Sequence, residues 1–473
     1  MGYEPKLWMA IPFALLLAAI AVGPLWFAAW WSKHYPQVAV SLALLTLAFY
    51  LGVLRQPEPV WHAAHEYACF IALIGSLFVV SGGIHITVKG EATPLNNVVF
   101  LLAGALVANL LGTTGASMLL IRPWLRMNKY RLTAHHVVFF IFIVSNVGGC
   151  LTPVGDPPLF LGYLRGVPFW WVAQHCWPMW AVGVGLLLAI FYALDRRNYL
   201  RAPPWVRAHL AEPPDRWRFE GLGNLFFLGL ILGSVFLQRP PFLREALLLG
   251  AAVGSWCTTP RAVHAANHFN FHPIREVAIL FLGIFATMLP ALDWLQRNAG
   301  TLGVPTPGMF YWATGGLSSV LDNAPTYLSF LSAAMGALVQ PEVIQQVHQL
   351  VQQGSEAAAA TGPQAEQVRA ALAALKLCHP DLLAARTLSP EQIQIACLLG
   401  SLQLNEYLVA VSVGAVFFGA CTYIGNGPNF LVKSIADQQK AHAPGFLGYV
   451  FKYTFPYLLP VLGLIWWFFF RQK

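Results

Sequence analysis

Residues 148 to 160 read GGCLTPVGDPPLF and follow directly on the apolar run VVFFIFIV at 137–144. Glycines 148, 149 and 155 and prolines 153, 157 and 158 cannot all continue a helix, because proline lacks the N–H donor and glycine pays the largest backbone entropy. A carboxylate, Asp156, stands among them. The rest of the chain decides what kind of break this is. Of 473 residues, 57% are apolar and only 10% charged, whereas a soluble domain is about a quarter charged. Apolar stretches of spanning length recur from end to end, so one polytopic membrane body fits better than a string of soluble domains. In hydrocarbon every backbone polar group must be satisfied, so non-helical backbone survives at membrane depth only where it is buried in protein or lines a wet cavity. The stretch 148–160 therefore reads as a helix interrupted inside the membrane.

Apolar segments fall at about 8–31, 37–54, 67–88, 97–111, 136–151 and 168–194, and again at about 222–238, 242–258, 277–297, 305–321, 396–420 and 446–470. The first is too long for a signal-peptide core and reads as a retained helix. Between the two series runs DRRNYLRAPPWVRAHLAEPPDRWRFE (195–220), with six arginines against four acids, which reads as a cytoplasmic linker. The net charge of +8 belongs to such loops and not to nucleic-acid binding. Seven cysteines, mostly in apolar runs and with no CxxC, read as packed thiols.

The opening stretch has a counterpart. GGCLTPVGDPP (148–158) lies over FGACTYIGNGPN (418–429) at an offset of 270, TTGASMLL (113–120) over DNAPTYLS (322–329) at 209, and IALIGSLFVVSGGIHI (71–86) over ILFLGIFATMLPALDW (279–294) at 208. A near-constant offset is the mark of a duplicated unit, and the added length lies in 340–389, which the first half lacks. That insertion has no basic excess and ends in Ser389-Pro390-Glu391-Gln392, the pattern of a helix start. The equivalent first-half loop, RPWLRMNKYR (122–131), is basic. Opposite charge bias at equivalent positions predicts two inverted repeats. The expected fold is an all-α polytopic membrane protein with about 11–12 transmembrane helices, two re-entrant hairpins and two broken helices. Its first repeat is 1–194, its linker 195–220, and its second repeat 221–473 with the hydrophilic insertion 340–389. Inversion needs an odd count in one half, which points to 222–258 as one tilted span plus an interfacial helix. The basic tail Arg471-Gln472-Lys473 weighs mildly the other way.

Paired interrupted helices are the best sequence pointer to a transport site. Each half also has a second polar interruption, Gly112 to Ser117 and Ser318 to Thr326, suited to a hairpin turning inside the membrane. The plain alternative is a tight loop whose hydroxyls bond back to helix carbonyls. A carboxylate near the bilayer centre costs about 2.5–3.5 kcal/mol on insertion scales, so Asp156 and Asp322 are candidates for a shared cation and proton site. The competing role for Asp156 is to cap the half-helix that follows it.

SNVGGCLTPVGDPPLFLGYLRGVPFWW (145–171), GACTYIGNGPNFLVKSIAD (419–437) and LDNAPTYLSF (321–330) resemble the ion transporter superfamily, nearest to bacterial sodium/proton antiporters of the NhaD type and putative citrate transporters. The resemblance runs over nearly the whole chain. It implies an inverted-repeat secondary transporter of the plasma (inner) membrane, moving by elevator or rocking motion, often as a homodimer in lipid. By position, Asn146, Thr152, Gly155 and Asp156 would line one side of the site. Asp322, Asn323, Thr326, Thr422, Gly425, Asn426 and Asn429 would line the other. No cofactor is expected; Na⁺ or Li⁺ and H⁺ would be the transported ions.

Cation/proton antiport uses core carboxylates and neutral oxygens, which are present. Citrate or another carboxylate or oxyanion would need positive potential. Arg122, Arg165 and Lys433 sit at segment ends, where snorkelling to the interface accounts for them. A primary pump lacks support, since no Gly-Lys dipeptide exists for a phosphate-binding loop. An enzyme reading rests on His62-Ala-Ala-His65-Glu66, which is not the HExxH order of zinc peptidases. His264, His268 and His272, four apart, would share a helical face and could sense pH, or simply be a solvated face. His85 and Asp293 are weak proton-route candidates.

Overall fold

The computed structural model describes residues 6–87, 93–203, 218–237, 240, 242–298, 306–353, 360–441 and 443–471. The fold is all-α and polytopic. Its only sheet among the described residues is a two-stranded antiparallel pairing of His85–Thr87 with Arg218–Glu220. Seven helices there are long and apolar enough to cross a membrane, and an eighth is reached only by counting a pair bent by 87°, Asn323–Leu338 with Pro341–Gln353. The other segments expected from sequence form shorter helices, except that the last is helical throughout from Phe446 to Phe469, with a π-helical stretch at Val450–Leu458. The suspected pair at 222–258 forms helices Asn224–Ser234 and Leu243–Thr258, neither of spanning length. Residues 204–217 of the basic linker, 354–359 of the insertion and 472–473 of the tail lie outside the described residues.

One of the seven is not a single span. Residues Pro94–Met127 are helical on both sides of Gly112, which has φ 73° and ψ 157°. Asn97 Nδ2 donates to Asn128 Oδ1 at 2.8 Å, although a straight helix would place residues that far apart in sequence about 46 Å apart. The Phe100 and Trp124 rings stack at 5.4 Å. The chain therefore doubles back at Gly112 into a hairpin, its base at Asn97 and Asn128 and its tip at Gly112-Thr113. Leu95, Val99, Leu102, Leu106 and Leu110 are exposed along one face of the first arm, the spacing of a lipid-facing stripe, while the second arm is largely buried.

The second hairpin is Pro307–Ser318 with Asn323–Leu338, its tip at 319–322. Both hairpins start alike. Thr93 and Thr306 accept from the backbone N–H of Asn96 and Met309 at 3.2 and 3.3 Å, each with proline at the first helical position. The base of the first packs at the Asp195 end of helix Trp171–Arg201, where Asn97 Nδ2 donates to Asp195 Oδ2 at 2.8 Å. The second hairpin leads into the insertion, whose His379 Nε2 is 2.8 Å from Gly166 O in the loop before the opposite end of that helix, where Trp171 Nε1 donates to Asn405 of helix Leu402–Phe418 at 2.9 Å.

The broken helices run Ala134–Ile143, a short 3-10 turn at Val147–Gly149, then Pro157–Leu164; and Leu402–Phe418, a turn at Gly419–Cys421, then Gly427–Gln438. The residue before each second half is extended, Asp156 at φ −142°, ψ 142° and Asn426 at φ −154°, ψ 140°. Pro157 forces this for Asp156, since a residue before proline is driven out of the helical region. Each loop crosses itself at a glycine pair. A Cβ on Gly155 would lie 2.1 Å from Gly149 O, and one on Gly425 would lie 2.7 Å from Gly419 O.

The three spaced histidines do not share a face. Helix Arg261–Ala266 ends before His268, whose φ is 47°, and a new helix starts at His272. His264 instead packs on Trp256, ring centroids 4.6 Å apart. His85 and Asp293 are likewise apart in role: His85 bonds Asn267 Oδ1 at 2.7 Å, and Asp293 pairs with Arg297 at 2.9 Å.

Candidate functional site

The two hairpin tips and the two broken segments meet at Asp156, which is buried. Its carboxylate accepts from Thr113 Oγ1 at 2.6 Å and Asn426 Nδ2 at 3.0 Å on Oδ1, and from Asn323 Nδ2 at 2.6 Å on Oδ2. One donor comes from the first hairpin tip, one from the second hairpin tip and one from the second broken segment. Asp156 holds the cap position of Pro157–Leu164, yet its side chain makes no capping bond. The sequence-level alternative of a capping acid is not what the geometry shows.

Asp322 is the residue that caps. It accepts from Ala324 N at 3.1 Å at the start of Asn323–Leu338, and Thr326 Oγ1 bonds back to Asp322 O at 3.0 Å. These two stand beside the centre, with side chains spent on their own helix.

A ring of amides ties the halves together around Asp156. Asn426 Nδ2 also reaches Asn146 Oδ1 at 3.1 Å and Ser145 O at 3.2 Å. Asn146 Nδ2 donates to Asn429 Oδ1 at 2.7 Å and Ile141 O at 2.8 Å. Asn429 Nδ2 closes its own loop on Gly419 O and Thr422 O at 2.7 and 2.8 Å. Thr152 and Thr422 play matching parts. Each donates its hydroxyl to a carbonyl near the hairpin tip of its own half, Asn109 O and Ser319 O, both at 2.6 Å, and each accepts from the N–H of Gly155 or Gly425 at 3.1 Å. Gly155 and Gly425 supply the close crossing described above.

Sequence reasoning did not single out Asn109. Its Nδ2 donates to Gly148 O at 2.7 Å and its Oδ1 accepts from Leu151 N at 2.8 Å, so it braces the first loop. The available signal was an amide in the apolar run LLAGALVANLLG three residues before the tip. Thr113, noted only as part of a polar interruption, is a direct partner of Asp156.

The donor set is neutral: none of the hydrogen bonds to Asp156 among the described residues comes from a lysine, arginine or histidine. Arg165 is engaged elsewhere, 2.8 Å from Glu66 and 2.7 Å from Glu391, which corrects the snorkelling expectation. Lys433 pairs with Asp437. Asn323 Oδ1 is buried with no hydrogen-bond partner, which leaves a bare oxygen on the amide that touches Asp156. Beside the carboxylate lies a cavity of about 30 Å³ lined by Thr113, Gly155 and Asp156 on one side and Leu73, Leu77 and Phe78 on the other. That volume holds a water or a small ion and has no room for a tricarboxylate.

A family model described as "Putative citrate transport" matches residues 3–470. No curated protein matches the chain.

Proposed function

Since the chain belongs to the family described as "Putative citrate transport", we propose that it is a secondary transporter of a plasma (inner) membrane that exchanges Na⁺ or Li⁺ for H⁺ at Asp156. The observation that carries this is a buried carboxylate held by three neutral donors, with the bare oxygen of Asn323 beside it. A hard monovalent cation takes oxygen ligands, and a lone carboxylate can hold either that cation or a proton, so competition for one group gives exchange. Alternating access would carry this centre from one side to the other. The hairpin arrangement supports inverted repeats: the base of the first hairpin bonds Asp195 near one end of helix Trp171–Arg201, and the insertion that follows the second bonds Gly166 in the loop before its other end.

Citrate as cargo is the second reading, favoured by the family description. A carboxylate at this centre would be repelled by Asp156 unless a cation bridged them, so the cation site is common to both. The half-helix N-termini at Pro157, Gly427 and Asn323 would then face the anion, in a conformation wider than this one.

The test uses protein in liposomes with a trapped pH dye, given Na⁺, Li⁺, K⁺ or citrate outside, for wild type and Asp156→Asn. Proton movement driven by Na⁺ or Li⁺ and lost in the variant is the expected result. Silence toward cations, with citrate uptake that survives Asp156→Asn, would sink the assignment of Asp156.

A further inference from the structure

The cluster around His65 takes no part in this exchange. Helix Pro57–Gly82 presents His65 and Cys69 one turn apart on one face, and helix Leu243–Thr258 brings Glu245 against them. A His65 nitrogen, Cys69 Sγ and a Glu245 oxygen lie within 4.8 Å of one another. The Cys69 thiol donates to Glu245 Oε1 at 2.9 Å, and both ring nitrogens of His65 are 3.8 Å from Sγ. Arg244 donates to Cys69 Sγ at 2.9 Å and to Glu245 Oε1 at 2.7 Å. The Phe242 ring meets His65 edge-on at 5.8 Å, held there by a left-handed backbone with φ 65°. His65, Arg244 and Glu245 line a cavity of about 550 Å³ that also includes Cys378 and His379 of the insertion.

We propose that His65, Cys69 and Glu245 bind a borderline transition-metal dication of the Zn²⁺ class, with a fourth position open to that cavity. One imidazole, one thiol and one carboxylate make a mixed N, S, O set that suits such an ion and disfavours Na⁺ or Mg²⁺. Metal–ligand bonds of about 2.0–2.3 Å around one centre put donor atoms roughly 3–4 Å apart, and the separations of 2.9 and 3.8 Å sit about that range. On binding, a metal–sulfur bond forms, the S–H bond breaks and its proton leaves to water. The Arg244 N–H stays on the sulfur as an outer donor and offsets the two anionic ligands. The ion would rivet Pro57–Gly82 to Leu243–Thr258. The metallopeptidase order is absent from His62-Ala-Ala-His65-Glu66; the ligand pair on this helix is His65 with Cys69.

Full-length protein in detergent, stripped with a chelator, is titrated with Co²⁺ and then Zn²⁺. The expected result is a near-ultraviolet thiolate-to-Co²⁺ band with visible bands of a four-coordinate ion, saturating near one equivalent and erased by Zn²⁺. Cys69→Ser should abolish the near-ultraviolet band, and His65→Ala or Glu245→Gln should weaken binding by about tenfold or more. Cys378→Ser should leave the band intact. No band in wild type, or a band that survives Cys69→Ser, overturns the proposal. If Cys69→Ser fails to elute as a single folded species, the partly exposed His65 carries the test, and unchanged Co²⁺ affinity in His65→Ala overturns it equally.

Discussion

The two candidate acids play different parts. Asp156 sits where a helix cap belongs and spends its oxygens on side chains from three other segments, whereas Asp322 caps its own helix. Their substitutions should separate. Asp322→Ser keeps a capping oxygen and should retain transport within about twofold, while Asp322→Ala should lower stability by about 1 kcal/mol in a denaturation series. Asp156→Asn should remove exchange with little change in melting. Removing the Asn426 donor tests the ring. Hydrogen bonds to a charged group contribute about 1.5–3 kcal/mol, so Asn426→Ala should weaken cation-driven proton movement by about 10- to 150-fold, read as the cation concentration giving half-maximal rate. In wild type that concentration should rise about tenfold per pH unit of acidification where protonation of one carboxylate competes with the cation.

Among the elements, what was legible in the sequence was punctuation. Proline and glycine clusters located both helix breaks, polar interruptions located both tips, and Ser389 to Gln392 announced a helix start that the structure closes with reciprocal bonds of 3.0 and 3.2 Å. The direction of the chain after Gly112 was harder to read, because Pro94–Met127 has the length and hydropathy of a span. Only contacts between its arms show that it turns back. Asn109 stayed hidden for a related reason: an amide in an apolar run looks the same whether it braces a neighbouring loop or packs idly. The three histidines sit in the loop reading of that stretch, because a four-residue spacing means one face only while the helix continues, and it stops before His268. The glycine crossings give a sharp test. A methyl on Gly155 would enter the space of Gly149 O, so Gly155→Ala should cost several kcal/mol or prevent folding, whereas Gly185→Ala, with nothing near its added Cβ, should leave melting unchanged. At Gly112 the positive φ alone should cost an alanine about 1–3 kcal/mol.

At the scale of the molecule, Arg165 links parts that are distant in sequence. It follows the half-helix Pro157–Leu164 and pairs with Glu66 on Pro57–Gly82 and Glu391 at the head of Pro390–Gly400. Its side chain is 11% exposed, against 17% for Glu66 and 41% for Glu391, so the Glu66 arm carries the electrostatic weight. Breaking a buried pair by removing one partner costs about 3–5 kcal/mol, chiefly by stranding the other charge. Arg165→Met should therefore lower the melting temperature, and adding Glu66→Gln should restore much of the loss. No recovery in the double variant would show that packing of the arginine stem is what matters.

The facing of Asp156 by Asn426 across the matched loops has an electrical consequence. Were both positions acidic, the centre would be a dyad sharing a proton, with two coupled ionisations. Under the proposed exchange, one acid opposite one amide would limit this centre to loading or unloading a single elementary charge in each crossing. In that exchange the carboxylate crosses paired with a cation one way and a proton the other, so wild-type turnover should carry no net current. Current should appear only in Asn426→Asp, where a second acid can bring a second proton and a membrane potential of 100 mV acts on the extra charge with about 2.3 kcal/mol.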